Sequence, residues 1–408
     1  MRRLQSLREH VRASLWFIPA LFALGAVVLA FILLNIDRQM SREAVHLVVY
    51  GGTAEGARNV LSTIAQSMLT FTGLVFTITM LVLQLASTQL SPRVMRTFLR
   101  DRANQVVLGL FVATFVYTLL VLRDVRSPID GDDPFVPGVS IWVGFVLLLA
   151  SVAAFIYYID HMAHSIRAST VIASIARETE QAIERLYPGR VGAQAIQPPL
   201  TDIGDAAKVT LKAPRAGVLV SVDHARLLQL AGTGVRRVEV VPTIGEFLPR
   251  GAPMARLSGA REAADAVRAA LVIEDERSME QDAAFGFRQL VDIAVRALSP
   301  GTNDPTTAVQ ALDRLHDLLR RLVEREIPSP VRRDDSGQVV LVLPRPGWDD
   351  YVELALDEIR LAGERQLQIG RRIRHLLGDL LGVAGDERKA VLRRELALVD
   401  PGAATDGS

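Results

Sequence analysis

Four long apolar runs mark the first 165 residues, at about 15–35, 64–86, 105–122 and 139–159. Each is long enough to cross a hydrocarbon core of about 30 Å at a rise of about 1.5 Å per residue. The first run follows Arg2, Arg3, Arg8 and Arg12, the charge order of a secretion signal. Its length of about 20 residues is that of a span, and no small-residue cleavage site follows it, so a retained helix is predicted.

Beyond residue 165 the pattern changes. Residues 166–200 read as a helical linker, broken by Pro188, Gly189, Pro198 and Pro199. Within 201–258, short stretches at 209–211, 217–222, 238–241 and 254–257 read as strands, punctuated by Pro214, Gly232, Gly234, Gly245 and Gly251. Helical periodicity returns over 259–395, with a break at Ser299-Pro300-Gly301, a strand at 339–343 and one or two amphipathic helices over 349–382. Residues 396–408 are expected to form a disordered tail. The expected fold class is a membrane α-helical domain of about four transmembrane helices plus a soluble α+β domain containing a small β-barrel-like unit.

Charge gives this layout a direction. Arg2, Arg3, Arg8 and Arg12 precede the first run, and Arg93, Arg96, Arg100 and Arg102 lie between the second and third. The connection between the third and fourth carries Asp124, Asp130, Asp132 and Asp133 against Arg123 and Arg126. Positive residues stay on the cytoplasmic side, so both termini are expected in the cytoplasm of a bacterial cell and the acidic loop outside. Overall, 46 Lys+Arg against 45 Asp+Glu leave a net charge of +1, which gives no reason to expect a nucleic-acid partner. The chain has no Cys, which excludes disulfides, thiolate metal sites and Cys nucleophiles.

Three stretches together carry a family resemblance. They are Phe71-Thr72-Gly73-Leu74-Val75-Phe76-Thr77-Ile78-Thr79 running on to Leu90-Ser91-Pro92-Arg93, then Tyr158-Ile159-Asp160-His161-Met162-Ala163-His164-Ser165-Ile166, and finally Gln281-Asp282 through Phe285-Gly286-Phe287-Arg288-Gln289-Leu290 on to Ser299-Pro300-Gly301-Thr302-Asn303-Asp304-Pro305-Thr306-Thr307-Ala308. The chain resembles the bacterial predicted-membrane-protein family known as domain of unknown function number twenty-two fifty-four. That resemblance implies an inner-membrane protein of this layout and supplies no activity.

The second run holds the most informative pattern. At 100° per residue, Thr63, Gln66, Thr70, Gly73, Thr77, Gln84 and Thr88 fall on one narrow face, with Thr72 and Thr79 opposite. A polar stripe of this kind lines a water-filled path when several copies surround an axis, as in a homo-oligomeric channel. Small and hydroxylated residues also mediate plain helix packing in membranes. No Asp, Glu, Lys or Arg lies in 64–86, which argues against a proton relay or charge-coupled transport.

Three further features have a functional and a structural reading. His161 and His164 share a helix face and are weak candidates for a metal, but two imidazoles with Asp160 are too few for a zinc site. Residues 299–308 read as a helix stop and start, with Asp304 as N-cap and Pro305 at the first helical position. With Arg288 and Asp292 nearby, Ser299, Gly301, Asn303 and Asp304 form either a ligand or subunit-contact corner or a capped hairpin flanked by ion pairs. The acidic run Glu274, Asp275, Glu276, Glu280 and Asp282 can bind a divalent cation, but also suits a solvated helix start.

The segment 245–251 is similar to the turn of a biotinyl or lipoyl barrel, but no Lys sits at a hairpin tip, so no cofactor is expected. No phosphate-binding, dinucleotide, zinc-protease or nucleophile-elbow motif is present, which weakens an enzymatic reading while leaving dispersed constellations open. Two functions lead, an oligomeric channel gated by the cytoplasmic domain and a membrane-anchored sensor or scaffold without a pore, with a membrane enzyme third. The lipid bilayer is the partner common to all three.

Overall fold

A computed structural model describes residues 17–42, 53–89, 102–126, 135–165, 167–189, 208–231, 235–259, 261–333 and 339–399. The chain divides into two compact units, 1–167 and 168–408. The N-terminal arginines, most of the 93–102 segment and Asp130, Asp132 and Asp133 lie outside the described residues.

The first unit holds four helices: α1 (Phe17–Arg42), α2 (Ala54–Gln89), α3 (Arg102–Asp124) and α4 (Gly138–Ser165). Each is long and apolar enough to cross a membrane. All four extend past the apolar runs that predict them, because backbone hydrogen bonding continues into polar sequence where hydropathy no longer registers. Inside the bundle, polar groups are used in pairs. Tyr117 Oη donates to the Ser140 carbonyl at 2.8 Å, and Thr114 Oγ1 lies 3.1 Å from Ser151 Oγ. Phe71 stacks on Phe155 with ring centroids 4.8 Å apart and tilts against Phe111 at 5.9 Å. In hydrocarbon, where burial gives no drive between helices, such packing and interhelical hydrogen bonds hold the bundle.

The second unit opens with α5 (Ala168–Leu186). Strands β1 (Lys208–Lys212), β2 (Gly217–Val222), β3 (Val235–Val240), β4 (Phe247–Leu248), β5 (Pro253–Gly259) and β6 (Leu271–Glu274) follow, with short helices α6 (His224–Ala231) and α7 (Ala264–Arg268) between them. Later in the chain come α8 (Ala283–Ala297), α9 (Pro305–Val323), β7 (Val331–Arg333), β8 (Val339–Val342), α10 (Trp348–Ala362), α11 (Leu367–Val383) and α12 (Asp386–Val399).

The strands form a five-stranded sheet in the order β1-β5-β3-β8-β7 and a three-stranded sheet in the order β4-β2-β6. All pairings are antiparallel except β3 with β8, where Val238 pairs with Leu341. A shared apolar core of Leu211, Leu219, Val222, Leu227, Val238, Leu257 and Leu341 fills the β region. These are open sheets, and no closed barrel forms among the described residues.

Two expectations change. Glu274 ends a strand whose Ile273 pairs with Leu219, so the acidic run does not begin as a helix. The alternation of Leu271, Val272 and Ile273 against β2 outweighs the local charge pattern. Helix α12 continues through 396–399 of the expected tail, and 400–408 lie outside the described residues.

Candidate functional site

The stripe on α2 lies on the outer surface of the first unit. Thr63, Gln66, Thr70, Gly73, Thr77 and Gln84 are all exposed, and the side chain of Thr88 lies outside the described residues. The buried face of the same helix is Leu61, Ile64, Met68, Val75 and Val82. Each exposed stripe residue stands two positions after an inward one, as Thr63 follows Leu61, Gln66 follows Ile64, Thr70 follows Met68 and Thr77 follows Val75. Two residues turn a helix by about 200°, so the stripe is diametrically opposite the packed face. The steps 63, 66, 70, 73, 77 alternate three and four, the spacing of a helix–helix seam.

Of the opposite polar positions, Thr79 has a different fate. Thr79 Oγ1 lies 2.8 Å from Tyr158 Oη, which is also 3.1 Å from the Val75 carbonyl. The Thr79 hydroxyl is therefore engaged in the contact of α2 with α4, while Thr72 Oγ1 donates to the Met68 carbonyl of its own helix at 2.7 Å. On the outer face, Thr63, Thr70 and Thr77 donate to the carbonyls of Asn59, Gln66 and Gly73 at 2.7, 3.1 and 2.9 Å. With their protons turned back to the helix, these hydroxyls present only oxygen lone pairs outward. The side chain of Gln66 makes no hydrogen bond to another described residue.

The 299–308 corner is a closed hairpin. Asp304 caps α9, accepting from the Thr307 backbone at 3.1 Å and from its hydroxyl at 2.5 Å, and Pro305 follows at the first helical position. That hydroxyl bond, with the backbone bonds of Thr307 and Thr306 behind it, holds the Asp304 carboxyl below the usual range. Asn303 takes a φ of 45°, a left-handed conformation that Asn tolerates better than most residues, and accepts from Gln366 at 3.3 Å. Ser299 Oγ bonds the Arg296 carbonyl at 2.7 Å. The side chain of Arg288 is engaged by Asp292 at 2.7 Å and by both carboxylate oxygens of Glu358. The space beside Gly301 is open. The charged groups of this corner serve one another.

His161 stacks on Tyr157 with ring centroids 5.6 Å apart, while the side chain of His164 lies outside the described residues. Of the acidic run, Asp275 pairs with Arg215 at 2.6 Å, and Asp282 pairs with Arg277 and caps α8 through the Phe285 N–H at 3.1 Å. Among the described residues no group of three or more His, Asp or Glu is placed to hold a metal ion.

One constellation carries almost no signal in the sequence. Tyr187, His224, Asp282, Arg345 and Tyr351 line a cavity of about 30 Å³ in the second unit. Sequence separations such as the 164 residues between Tyr187 and Tyr351 hide it from any local pattern. Its one available hint is Pro344-Arg345-Pro346, a cation held between two prolines.

The family model described as "Predicted membrane protein (DUF2254)" matches residues 12–379. Uncharacterized proteins of Mycobacterium bovis and of Mycobacterium tuberculosis (strain H37Rv) are each 32% identical to this chain over 409 residues, covering 98% of the chain and 78% of the relative. No solved structure matches.

Proposed function

We propose that this chain, which belongs to the predicted-membrane-protein family (DUF2254), assembles through α2 into an oligomeric channel of the bacterial inner membrane. Its polar stripe would line the path, its termini would be cytoplasmic, and its C-terminal unit would gate it. The observation that carries this reading is the outward position of Thr63, Gln66, Thr70, Gly73, Thr77 and Gln84 on a helix apolar enough to span. An amide such as that of Gln66 costs about 4 kcal/mol or more on moving from water to hydrocarbon without a partner. Polar groups inside a membrane therefore turn to other protein or to water. A symmetric assembly about α2 would supply both to the outward amide of Gln66 and to the outward oxygens of Thr63, Thr70 and Thr77.

The chemistry of the stripe gives the path a character. Threonine oxygens whose protons are spent on the helix offer acceptors, which suits cations and water better than anions. The absence of any charged residue from 64–86 points to passive conduction rather than coupled transport. The sensor or scaffold reading draws its support from the second unit, which has its own polar cavity and needs no pore.

The test is reconstitution in planar bilayers of the wild type beside Thr77→Leu and Thr77→Asp. Conduction by the wild type, loss in Thr77→Leu and a shift towards cations in Thr77→Asp is the expected result. No current at any voltage, tension or pH, or an Asp variant that assembles and conducts with unchanged selectivity, removes the stripe from the path.

A further inference from the structure

The cavity in the second unit is framed by distant parts of the chain. Tyr187 follows α5, His224 begins α6, Asp282 caps α8, Arg345 precedes α10 and Tyr351 lies within it. A void of about 30 Å³ admits about two water molecules, or the leading atoms of one polar head group.

The carboxylate and the amide in its wall are already engaged. Asp282 takes both Arg277 Nε at 2.9 Å and Arg277 Nη2 at 2.8 Å, as well as the Phe285 N–H. Gln281 is pinned to the backbone of Val222, accepting at 3.0 Å and donating at 3.3 Å.

The donors are not exhausted. Tyr187 Oη and Tyr351 Oη lie 2.8 Å apart. One hydroxyl donates to the other, which leaves a single O–H to be satisfied elsewhere. The half-buried guanidinium of Arg345 gives one hydrogen bond, at 3.0 Å, to Nε2 of His224. No carboxylate among the described residues forms an ion pair with it, whereas Arg277, Arg288, Arg360 and Arg372 in this unit each meet a carboxylate and Arg388 meets three carbonyls. Pro344 and Pro346 on either side confine the backbone that carries it.

From this surplus of donors we propose that the cavity binds the anionic head of a small ligand, a carboxylate or a phosphate, with Arg345 as the charged anchor and the Tyr187–Tyr351 hydroxyl pair as the second donor. The guanidinium fork matches two oxygens of such a group. Arg332, close enough to act electrostatically on both His224 and Arg345, adds positive potential at the site. Burial, with Arg345 and Arg332 beside it, holds His224 below the usual imidazole range, so that it is neutral and accepts from Arg345 at neutral pH. Burial also disfavours the charge on Arg345, a penalty that an entering anion relieves. The size of the void limits entry to the head group and places the rest of the ligand at the mouth. This proposal stands on the second unit alone and holds whether or not α2 lines a path.

The experiment is calorimetric titration of the full chain in detergent with inorganic phosphate and, separately, with acetate, at ionic strength held constant with sodium chloride. Saturable binding of one of the two with a dissociation constant of about 10 mM or tighter is expected. The arm that binds identifies the head group. Arg345→Gln should weaken it at least about tenfold, and Arg345→Lys, which keeps the charge and loses the fork, by an intermediate factor. Tyr187→Phe serves as the second variant, because it removes a donor without removing packing, and a severalfold loss is expected. Thermal unfolding of each variant without ligand separates lost binding from lost folding. Absence of saturation by both anions overturns the proposal, as does equal affinity in a folded Arg345→Gln protein.

Discussion

The carboxylate of Asp37, near the end of α1, accepts three hydrogen bonds at the start of α4, two of them from Ser140 at a separation of 103 residues. The Val139 and Ser140 backbone N–H groups approach at 2.9 and 3.0 Å and the Ser140 hydroxyl at 2.6 Å. Asp37 thus caps a helix to which it does not belong. The unpaired N–H groups of a helix start carry partial positive charge, which a carboxylate both satisfies and neutralises. Asp37 is buried, so its removal leaves those donors bare. Asp37→Ala should cost about 2–3 kcal/mol, and Asp37→Asn about half as much because one oxygen acceptor remains. Thermal unfolding in detergent reads the difference. An Ala variant as stable as wild type would show the cap to be dispensable.

Gly286 on α8 faces Thr179 on α5, and a Cβ added at Gly286 would fall 2.8 Å from Thr179 Cβ. Carbon atoms do not approach that closely, so the two helices must part. Gly286→Ala should destabilise the second unit by about 3 kcal/mol, although Ala is the better helix former by about 1 kcal/mol. Gly301→Ala is the control, because nothing lies within 4 Å of its position. Denaturant unfolding should separate the two. Equal midpoints would mean that α5 gives way without cost.

Glu395 on α12 carries the clearest pH dependence. Its side chain is 2% exposed, with Arg360 Nε at 3.9 Å and Arg394 Nε at 3.7 Å, both beyond hydrogen-bond reach. Burial, then the neighbouring Asp357 carboxylate, raises its pKa above the usual range, against the opposing pull of Arg360 and Arg394. A raised folded pKa means that the folded state holds the proton more tightly. The stabilisation is complete below the unfolded value of about 4.3 and is lost as pH rises through the folded value. Glu395→Gln should therefore raise the unfolding temperature at pH 8, flatten its dependence on pH and lose its advantage near pH 4. A variant whose pH profile parallels the wild type would assign the dependence to another group.

The four spans and the Asp304-Pro305 helix start were legible in the sequence because their signals are local. Twenty apolar residues, or an Asp before a Pro, state their purpose within one or two turns. The outer position of the α2 stripe was half legible. Periodicity put Thr63, Gln66, Thr70 and Thr77 on one face, but not which face turned inward. Tyr158 decides that by engaging Thr79. Asp37 as a cap for α4 and the cavity around Arg345 were not legible, because each depends on groups more than 100 residues apart. Strand β6 was missed because its four residues adjoin the acidic run, and its pairing with β2 is a tertiary fact.

The absence of cysteine gives the α2 proposal a direct test, since any cysteine introduced stands alone in its chain. A disulfide needs Cβ atoms about 3.8 Å apart at the moment it forms, so under mild oxidation it traps stripes that approach one another across a narrow path. If copies meet through the outer stripe, Thr70→Cys and Thr77→Cys face their counterparts near the shared axis and should form disulfide-linked dimers on mild oxidation in native membranes. Thr72→Cys and Thr79→Cys lie on the other side of the helix, where Thr79 meets Tyr158, and should not cross-link. Replacing these threonines also removes hydroxyls already bonded to their own helix, so the change at each outer site costs no interhelical hydrogen bond seen in a single copy. Gln66→Leu sharpens the test. If Gln66 merely faced lipid, the substitution would favour insertion and leave cross-linking at Thr70→Cys unchanged. If Gln66 is paired across the seam, a contact worth about 0.6–2 kcal/mol is lost and the dimer yield should fall. Cross-linking from Thr72→Cys as strong as from Thr70→Cys would mean random collision, and would remove the basis for an assembly about α2.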